Sequence, residues 1–251
     1  MALFEKKFCD ICGNKIGVLG NRKLEDGNLC KDCASLLSPF FSERRRSTVE
    51  DIKAHLAYRE ANKAAVSAFR ATRTLGLGTK VMLDEDAGKF LVTAARRLED
   101  ANPDVLDFSQ VTGASYMVDE NKSEVTQRGA DGKSVSYSPP RYKYSYAFKM
   151  NIQVNHPWFN EISFQLNDRS IEVENTFGGG GAAVGRRNSD YTRTEQAGNE
   201  ITEALTRARQ GVRDNIAAAN APKIAQTCPL CGATTMPDAS GRCEYCGGAM
   251  A

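Results

Sequence analysis

The sequence predicts an α+β protein, in which a central antiparallel β-sandwich with a long C-terminal helix lies between two small domains that each contain four cysteines. Three observations lead to this fold class. All eight cysteines lie near the two ends of the 251-residue chain. Residues 142–154 alternate strictly between apolar and polar, which predicts a strand with one buried face. Apolar residues over 201–216 recur at helical spacing, which predicts one long helix within residues 190–220.

The composition favours a globular protein and excludes several other classes. Hydrophobic residues make up 41% of the chain and charged residues 25%, which are ordinary globular values. No apolar run approaches the roughly 18 residues that a membrane-spanning helix needs. The first residues carry acid and base where a signal peptide has an apolar stretch. We therefore expect a cytoplasmic protein without a transmembrane segment.

The cysteines form four Cys-x-x-Cys pairs, two near each end of the chain. They are Cys9, Cys12, Cys30 and Cys33 in the first half, and Cys228, Cys231, Cys243 and Cys246 in the second. A disulfide framework would scatter its cysteines through a small secreted chain. In a reducing compartment the same residues are available as thiolates, which is the form that binds metal.

Two Cys-x-x-Cys turns joined by a hairpin supply four sulfur ligands in a tetrahedral set, which is typical of a structural zinc site. The spacers contain turn sequences suited to such hairpins, Asp26-Gly27 and Pro237-Asp238-x-x-Gly241. Redox-active cysteine pairs and iron–sulfur clusters are the alternatives. A redox pair needs only one Cys-x-x-Cys, and iron–sulfur ligands do not usually form two symmetric turns closed by glycine. We therefore predict two structural zinc ions per chain, without an open position for catalysis.

Between the clusters the sequence predicts a helix, a set of strands and a second helix. The predicted domains are the N-terminal zinc domain (1–46), a connecting helix (47–78), the β-sandwich with its C-terminal helix (79–221) and the C-terminal zinc ribbon (222–251). The connecting helix begins with a capping box at Ser47–Glu50 and should run to about Arg73, with Gly76 and Gly78 as the residues that end it. Seven strands are expected at 81–83, 89–93, 105–108, 114–118, 142–154, 162–166 and 171–173. Residues 129–132 should form a hairpin tip, and the glycine-rich residues 178–185 a flexible linker.

Seven strands followed by a helix resemble the pleckstrin-homology-like fold. The segment Cys9-Asp10-Ile11-Cys12-Gly13, together with Leu24 to Cys33, resembles an uncharacterised bacterial family that opens with a four-cysteine zinc-binding domain of unknown function. Residues 228–247 resemble the short zinc ribbon that is common at bacterial C-termini. These resemblances imply zinc and a cytoplasmic location, and they supply no activity.

No catalytic constellation is evident in the sequence. His55 falls in the first helix and His156 in a loop, and both are more typical of structural positions. The sequence motifs of hydrolases, zinc proteases, nucleotidases and dinucleotide enzymes are absent, and the cysteines are assigned to metal. We therefore expect a non-enzymatic interaction protein with a protein partner. Candidate contacts are Leu230, Tyr245 and an exposed Trp158, although for Leu230 packing beneath its own hairpin is the more ordinary outcome.

Nucleic acid is the second candidate partner. Asn21-Arg22-Lys23 and Arg44-Arg45-Arg46 supply cations, although a solvated loop is the more ordinary explanation of the arginine run. Residues 1–78 carry 14 basic and nine acidic side chains, whereas residues 79–178 carry 11 and 15. A lipid headgroup is less expected as a ligand of the sandwich, because that segment is acidic overall.

Overall fold

The computed structural model describes residues 6–175, 180–220, 225–238 and 240–250. Within these ranges the protein is a mixed α/β structure with antiparallel sheets and a long C-terminal helix. The chain divides into two compact units, residues 1–210 and residues 211–251. No helix in the described ranges is both long enough and apolar enough to cross a bilayer.

The first unit opens with two short hairpins and a short helix. Strands β1 to β4 span Lys7–Phe8, Lys15–Ile16, Arg22–Lys23 and Asn28–Leu29, and helix α1 spans Lys31–Ser35. β1 pairs with β2, and β3 pairs with β4. The predicted Asp-Gly turn joins β3 to β4, where the Leu24 amide donates to the Gly27 carbonyl at 2.9 Å. A 3-10 helix, Glu43–Arg46, then leads to the connecting helix.

The connecting helix, α2, spans Val49–Ala68, and its capping box lies one residue later than predicted. The Asp51 amide donates to Thr48 Oγ1 at 3.2 Å, and the Thr48 amide donates to Asp51 Oδ2 at 2.8 Å. Ser47 is instead buried, and its hydroxyl donates to the Glu43 carbonyl. The sequence allows either position for the capping box, because Thr48 and Asp51 form a second suitable pair one residue after Ser47 and Glu50.

The predicted end of α2 at Gly76 and Gly78 is wrong. The helix ends at Ala68, and the next residue, Phe69, is extended and buried. The Arg70 amide then donates to Asp84 Oδ2 at 2.8 Å. The helix therefore ends where the next residues bond to a distant part of the chain, and not at a helix-breaking residue. Residues 73–75 form an additional strand.

That strand begins a four-stranded antiparallel meander. Strands β5, β6 and β7 span Arg73–Leu75, Lys80–Asp84 and Lys89–Thr93, and β8 spans Val105–Asp107 after the short helix α3, Leu98–Ala101. The meander buries one aliphatic and aromatic face, made of Val81, Leu83, Phe90, Val92 and Leu106. The three strands that were predicted in this segment are thus present.

A second sheet follows, built on a long hairpin. Strands β9, β10, β11 and β12 span Val111–Arg128, Ser134–Val154, Glu161–Gln165 and Ile171–Asn175. β11 and β12 pair with successive parts of β10 along the same edge, so they act as one interrupted strand. The Asn167 side chain bridges the interruption: the Phe148 amide donates to Asn167 Oδ1 at 2.7 Å, and Asn167 Nδ2 donates to the Tyr146 carbonyl at 3.2 Å.

The predicted alternation along β10 is confirmed. Every even residue from Tyr144 to Val154 is buried, and the odd residues between them are half-buried or exposed. The predicted hairpin tip is also confirmed, since the Gly132 amide donates to the Gly129 carbonyl at 2.9 Å in the turn between β9 and β10.

The long helix α5 spans Ser189–Asn220, as the apolar stripe predicts. Tyr191, Ile201 and Leu205 are buried, and the Tyr191 ring meets those of Tyr146 and Phe148 edge to face at 5.0 and 4.9 Å. Aromatic packing therefore fixes the first half of the helix on the second sheet.

The flexible linker predicted at 178–185 is wrong for residues 180–185. They include a short helix, α4, Ala182–Gly185, in which Val184 is buried. The Tyr146 hydroxyl donates to the Gly181 carbonyl at 3.1 Å, so this stretch is packed onto the second sheet. Residues 178 and 179 lie outside the described residues.

Helix α2 is joined to the first sheet by a buried network around Asp104. The Arg59 guanidinium lies 2.7 Å from the Asp104 carboxylate, which is 1% exposed. The hydroxyls of Ser38 and Tyr58 donate to the same carboxylate at 2.7 and 3.0 Å. A buried carboxylate is tolerated only when it is paired and hydrogen-bonded, so this network fixes α2 against the segment before β8.

Both histidines and the tryptophan lie in an aromatic cluster beside this network. The His55 ring stacks on Trp158 at 4.8 Å and meets Phe41 at 4.5 Å, while His156 stacks on Phe159 at 4.3 Å. Burial lowers the pKa of His55 to about 4, the Asp104 charge opposes that shift, and the charges of Arg59 and His156 add to it. Trp158 is half-buried, so the expectation of an exposed contact residue at this position is not met.

Candidate metal centres

The N-terminal cysteines converge on one point. The Sγ atoms of Cys9, Cys12, Cys30 and Cys33 all lie within 4.8 Å of one another. The first pair forms a tight turn, in which the Gly13 amide donates to the Cys9 carbonyl at 2.8 Å. Gly13 has φ of +73°, a left-handed conformation that glycine adopts without strain, so the residue after the second cysteine closes the turn.

The second N-terminal pair differs from the predicted turn. Cys30 is the N-cap of α1, and the Cys33 amide donates to Cys30 Sγ at 3.3 Å. The Cys30 amide in turn donates to Cys9 Sγ at 3.3 Å. Backbone N–H groups therefore face the sulfurs, which favours the thiolate form that a metal needs.

The C-terminal cysteines form a second cluster with two matching turns. The Sγ atoms of Cys228, Cys231, Cys243 and Cys246 also lie within 4.8 Å of one another. The Gly232 and Gly247 amides donate to the carbonyls of Cys228 and Cys243 at 2.9 and 2.8 Å. Both glycines have positive φ. The two short strands β13 (Gln226–Thr227) and β14 (Thr234–Thr235) carry the first turn.

The pKa values of the thiols show how the sulfurs of one cluster affect one another. At Cys228, the amides of Cys231 and Leu230 lower the pKa to about 6. At Cys246, the Gly248 amide lowers the pKa, but the neighbouring sulfurs of Cys231 and Cys228 outweigh it and raise the pKa to about 12. One thiolate in the cluster thus opposes the ionisation of the next.

The N-terminal cluster behaves in the same way. Burial opposes the ionisation of Cys9, but the amides of Cys12, Cys30 and Ile11 lower its pKa to about 6. Burial, followed by the nearby sulfurs, raises the pKa of Cys33. Four thiolates in such a space need a compensating positive charge, so both clusters fit a divalent cation with four sulfur ligands.

The surroundings of the two clusters differ. Cys9, Cys30 and Cys33 share a hydrophobic core with Ile52 of α2. The hairpin turn of the cluster also meets the start of that helix, where the Val49 amide donates to Asp26 Oδ1 at 2.8 Å. The full core comprises Cys9, Ile16, Leu24, Leu29, Cys30, Cys33, Leu37 and Ile52.

The second unit has a much smaller core. Its described buried apolar residues are Cys228, Cys243 and Met250. Leu230 and Tyr245, the sequence-predicted contact residues, are 74% and 73% exposed. The alternative in which Leu230 packs beneath its own hairpin is therefore wrong.

Sequence reasoning missed one feature near the first cluster. Arg44, which was assigned to a solvated loop, is half-buried and lines a cavity with Arg22, Lys23 and Arg45. The sequence shows these cations as two separate short basic runs, one in β3 and one in the 3-10 helix. Only the fold brings the two elements together around one cavity.

The fold and the two clusters define a protein with two four-cysteine modules, each of which could hold a metal ion. Residues 7–55 match a family described as a domain of unknown function, DUF4428. The matched segment includes the four N-terminal cysteines and the start of α2, with Ile52, so it covers both the cluster and its core. Neither a comparison with curated proteins nor one with solved structures gave a match.

Proposed function

We propose that the protein is a non-enzymatic zinc-binding interaction protein, whose C-terminal module presents an apolar docking surface to a partner protein. The observation that carries this proposal is the exposure of Leu230 and Tyr245 at equivalent positions of two matching turns. Each residue immediately precedes the second cysteine of its pair. We call these two side chains the knuckle tips.

Zinc is the metal that the ligand chemistry favours. Four thiolates in a closed set suit a tetrahedral ion with soft ligands, and zinc is the common case. Four sulfur ligands leave no position for water or substrate, so both sites act structurally. The eight thiols must stay reduced to bind metal, which supports a cytoplasmic location as part of the proposal.

The knuckle tips support a protein partner for a physical reason. A unit whose described core holds Cys228, Cys243 and Met250 leaves two large apolar side chains, and also Met236, in water. Exposed apolar side chains grouped on a small rigid module are characteristic of association surfaces, and tyrosine is enriched among residues that dominate binding.

The body of the protein serves as the platform in this proposal. A four-stranded meander, a second antiparallel sheet and a long helix follow one another along the chain, and this order supports the pleckstrin-homology-like resemblance. A non-enzymatic role is supported by the placement of the titratable groups. The cysteines gather in the two clusters, and His55 and His156 pack among aromatic rings.

Nucleic acid remains the alternative partner of the C-terminal module. Among its described residues 225–238 and 240–250, Arg242 is the only lysine or arginine, and Asp238 and Glu244 are acidic. Phosphate binding usually requires several converging cations, so the apolar surface favours protein over nucleic acid.

The test compares partner capture by the full-length, zinc-loaded chain and a variant with Leu230→Ser and Tyr245→Ser. The control is Gln226→Ser, which changes an exposed polar residue of the same module. We expect the wild type and the control to capture the same protein at low and high salt, and the double variant to lose it. Capture that persists in the double variant, or that nuclease or salt abolishes, would refute the proposal.

A further inference from the structure

The N-terminal module carries an exposed apolar turn that supplies no metal ligand. Residues 17–20 form a tight turn, in which the Gly20 amide donates to the Gly17 carbonyl at 2.9 Å. At its tip, Val18 is 80% exposed and Leu19 is 89% exposed. They are more exposed than the knuckle tips, although their neighbour Ile16 is buried in the core of the cluster.

Two basic cavities flank this apolar turn, and Asn21 borders both. The larger, of about 620 Å³, is lined by the cations Arg22, Lys23, Arg44 and Arg45 and by one acid, Glu25. The smaller, of about 510 Å³, is lined by Lys6, Lys7 and Lys15 and by Val18 of the turn itself. Arg22 links the larger cavity to the turn, since its guanidinium donates to the Leu19 carbonyl at 3.3 Å.

The cations of this face form no ion pair with the acidic residues that the structure describes. Among the described residues, none of the seven lies within 4.0 Å of a carboxylate, whereas the neighbouring Arg46 pairs with Glu43 at 3.3 Å. Arg44 Nη1 is buried and makes no hydrogen bond with any residue in the described ranges. Burial lowers the pKa of Arg44, and the charges of Arg22 and Arg45 lower it further, so three like charges lie close together.

Two acids of the N-terminal module that line neither cavity accept hydrogen bonds from backbone amides. Asp10 accepts from the Asn28 amide at 2.6 Å, and Asp26 accepts from the Val49 amide at 2.8 Å. The basic face, defined as the turn 17–20 with its two cavities, therefore carries seven cations and one acid, Glu25, around an aliphatic tip.

We propose that the basic face docks on a bilayer containing anionic phospholipids. Lipid phosphates would occupy the two cavities, and Val18 and Leu19 would enter the boundary between headgroups and acyl chains. An apolar tip between cations suits an interface that is negatively charged outside and apolar beneath. The acidic segment 79–178 made lipid less expected for the platform, but the N-terminal module carries its own positive charge.

The same features argue against an extended nucleic acid. Single strands bind through aromatic side chains that stack on bases. Val18 and Leu19, the most exposed large apolar residues of the module, are aliphatic and offer no stacking surface. Nucleic acid would use the cations but would leave Val18 and Leu19 without a role.

The experiment is co-sedimentation of the full-length, zinc-loaded protein with vesicles. One set is phosphatidylcholine alone, and the other contains about 30% phosphatidylserine, which reproduces an anionic surface. We expect binding to the anionic vesicles only, and we expect it to weaken as salt rises.

Two double variants separate the apolar and electrostatic contributions. Val18→Ser with Leu19→Ser should weaken binding by about tenfold or more and leave the salt dependence unchanged, since exposed aliphatic area is lost. Arg22→Gln with Arg44→Gln should weaken it by about tenfold and flatten the salt dependence. The controls are Leu36→Ser, an exposed apolar residue of the same module, and Arg46→Gln, an exposed cation that is already paired. Zinc content and thermal unfolding verify that each variant is folded.

Several results would overturn the proposal. These are no vesicle binding, equal binding to neutral and anionic vesicles, or an equal loss in the control variants. A fourth is tight binding of pyrophosphate or a single-stranded oligonucleotide that depends on Arg22 and Arg44 but not on Leu19, without vesicle binding. That last result would assign the cavities to a soluble phosphate ligand or to nucleic acid.

Discussion

At the N-terminal cluster, three cysteines pack in one core with Ile52 of α2, and the hairpin turn hydrogen-bonds to the start of that helix. At the C-terminal cluster, the described core consists of Cys228, Cys243 and Met250, and the cluster belongs to a second compact unit, residues 211–251. The ligand set is the same in both. The comparison therefore shows that coupling between a metal site and a fold depends on the apolar residues and caps around the ligands.

The largest effect is expected where α2 joins the first sheet. Arg59→Ala would leave Asp104 buried without its ion-pair partner, which typically costs about 3–5 kcal/mol. The free energy of unfolding of the first unit, measured by denaturant titration, should fall by this amount. Arg207→Ala is the control, because its pair with Glu203 is exposed and should contribute under about 0.5 kcal/mol. Equal effects would show that the Asp104 network does not stabilise the first unit.

The next effect concerns the core that α2 shares with the first cluster. Ile52→Ala should cost about 2–5 kcal/mol, because a fully buried side chain is replaced by a cavity. The same change should weaken metal binding at the N-terminal cluster and leave the C-terminal cluster unaffected. A competition titration with a chelator measures both sites. Weaker metal binding at both sites, or at neither, would contradict the claim that only the N-terminal cluster depends on the core of α2.

A smaller effect follows from the buried His55. Its folded-state pKa of about 4 lies below its ordinary value of 6.5, so the unfolded chain binds the proton more readily. The stability contributed by the neutral ring is complete above pH 6.5 and is lost as the pH falls toward 4, at about 1.4 kcal/mol per unit. His55→Phe should flatten this dependence between pH 6.5 and 5. An unchanged slope would contradict the assignment of a neutral His55.

The smallest effect on the first unit is expected from a change in the second. Met250→Ala removes one of the few described buried side chains of the C-terminal core and should weaken its metal binding by about tenfold or more. The unfolding transition of residues 1–210 should shift by less than about 0.5 kcal/mol. A larger shift, measured by calorimetry, would show that the second unit supports the first.

The features that the sequence predicted correctly are those encoded by local patterns. The spacing of the cysteines placed both clusters, the alternation along residues 142–154 identified the buried face of β10, and the stripe from Ile201 identified α5. Each of these patterns is contained within a short stretch of chain.

The features that the sequence did not predict depend on distant partners. Residues 73–75 form a strand because β6 pairs with them. The glycine-rich residues 180–185 pack on the second sheet because the Tyr146 hydroxyl donates a hydrogen bond to the Gly181 carbonyl. Arg59 and Asp104 are 45 residues apart in the chain. The larger basic cavity likewise needs β3 and the 3-10 helix to meet, so neither basic run predicts it alone.

The most direct test of the unequal coupling is a pair of matched cysteine variants, Cys33→Ser and Cys231→Ser, each measured by zinc content and calorimetry. Cys231→Ser should lose one metal ion and leave the main unfolding transition within about 0.5 kcal/mol of the wild type, because its cluster has its own core. Cys33→Ser should also lose one ion, but it should lower the main transition by several kcal/mol, because the N-terminal cluster shares its core with α2. Equal shifts in the two variants, or the loss of both ions from either one, would contradict the account.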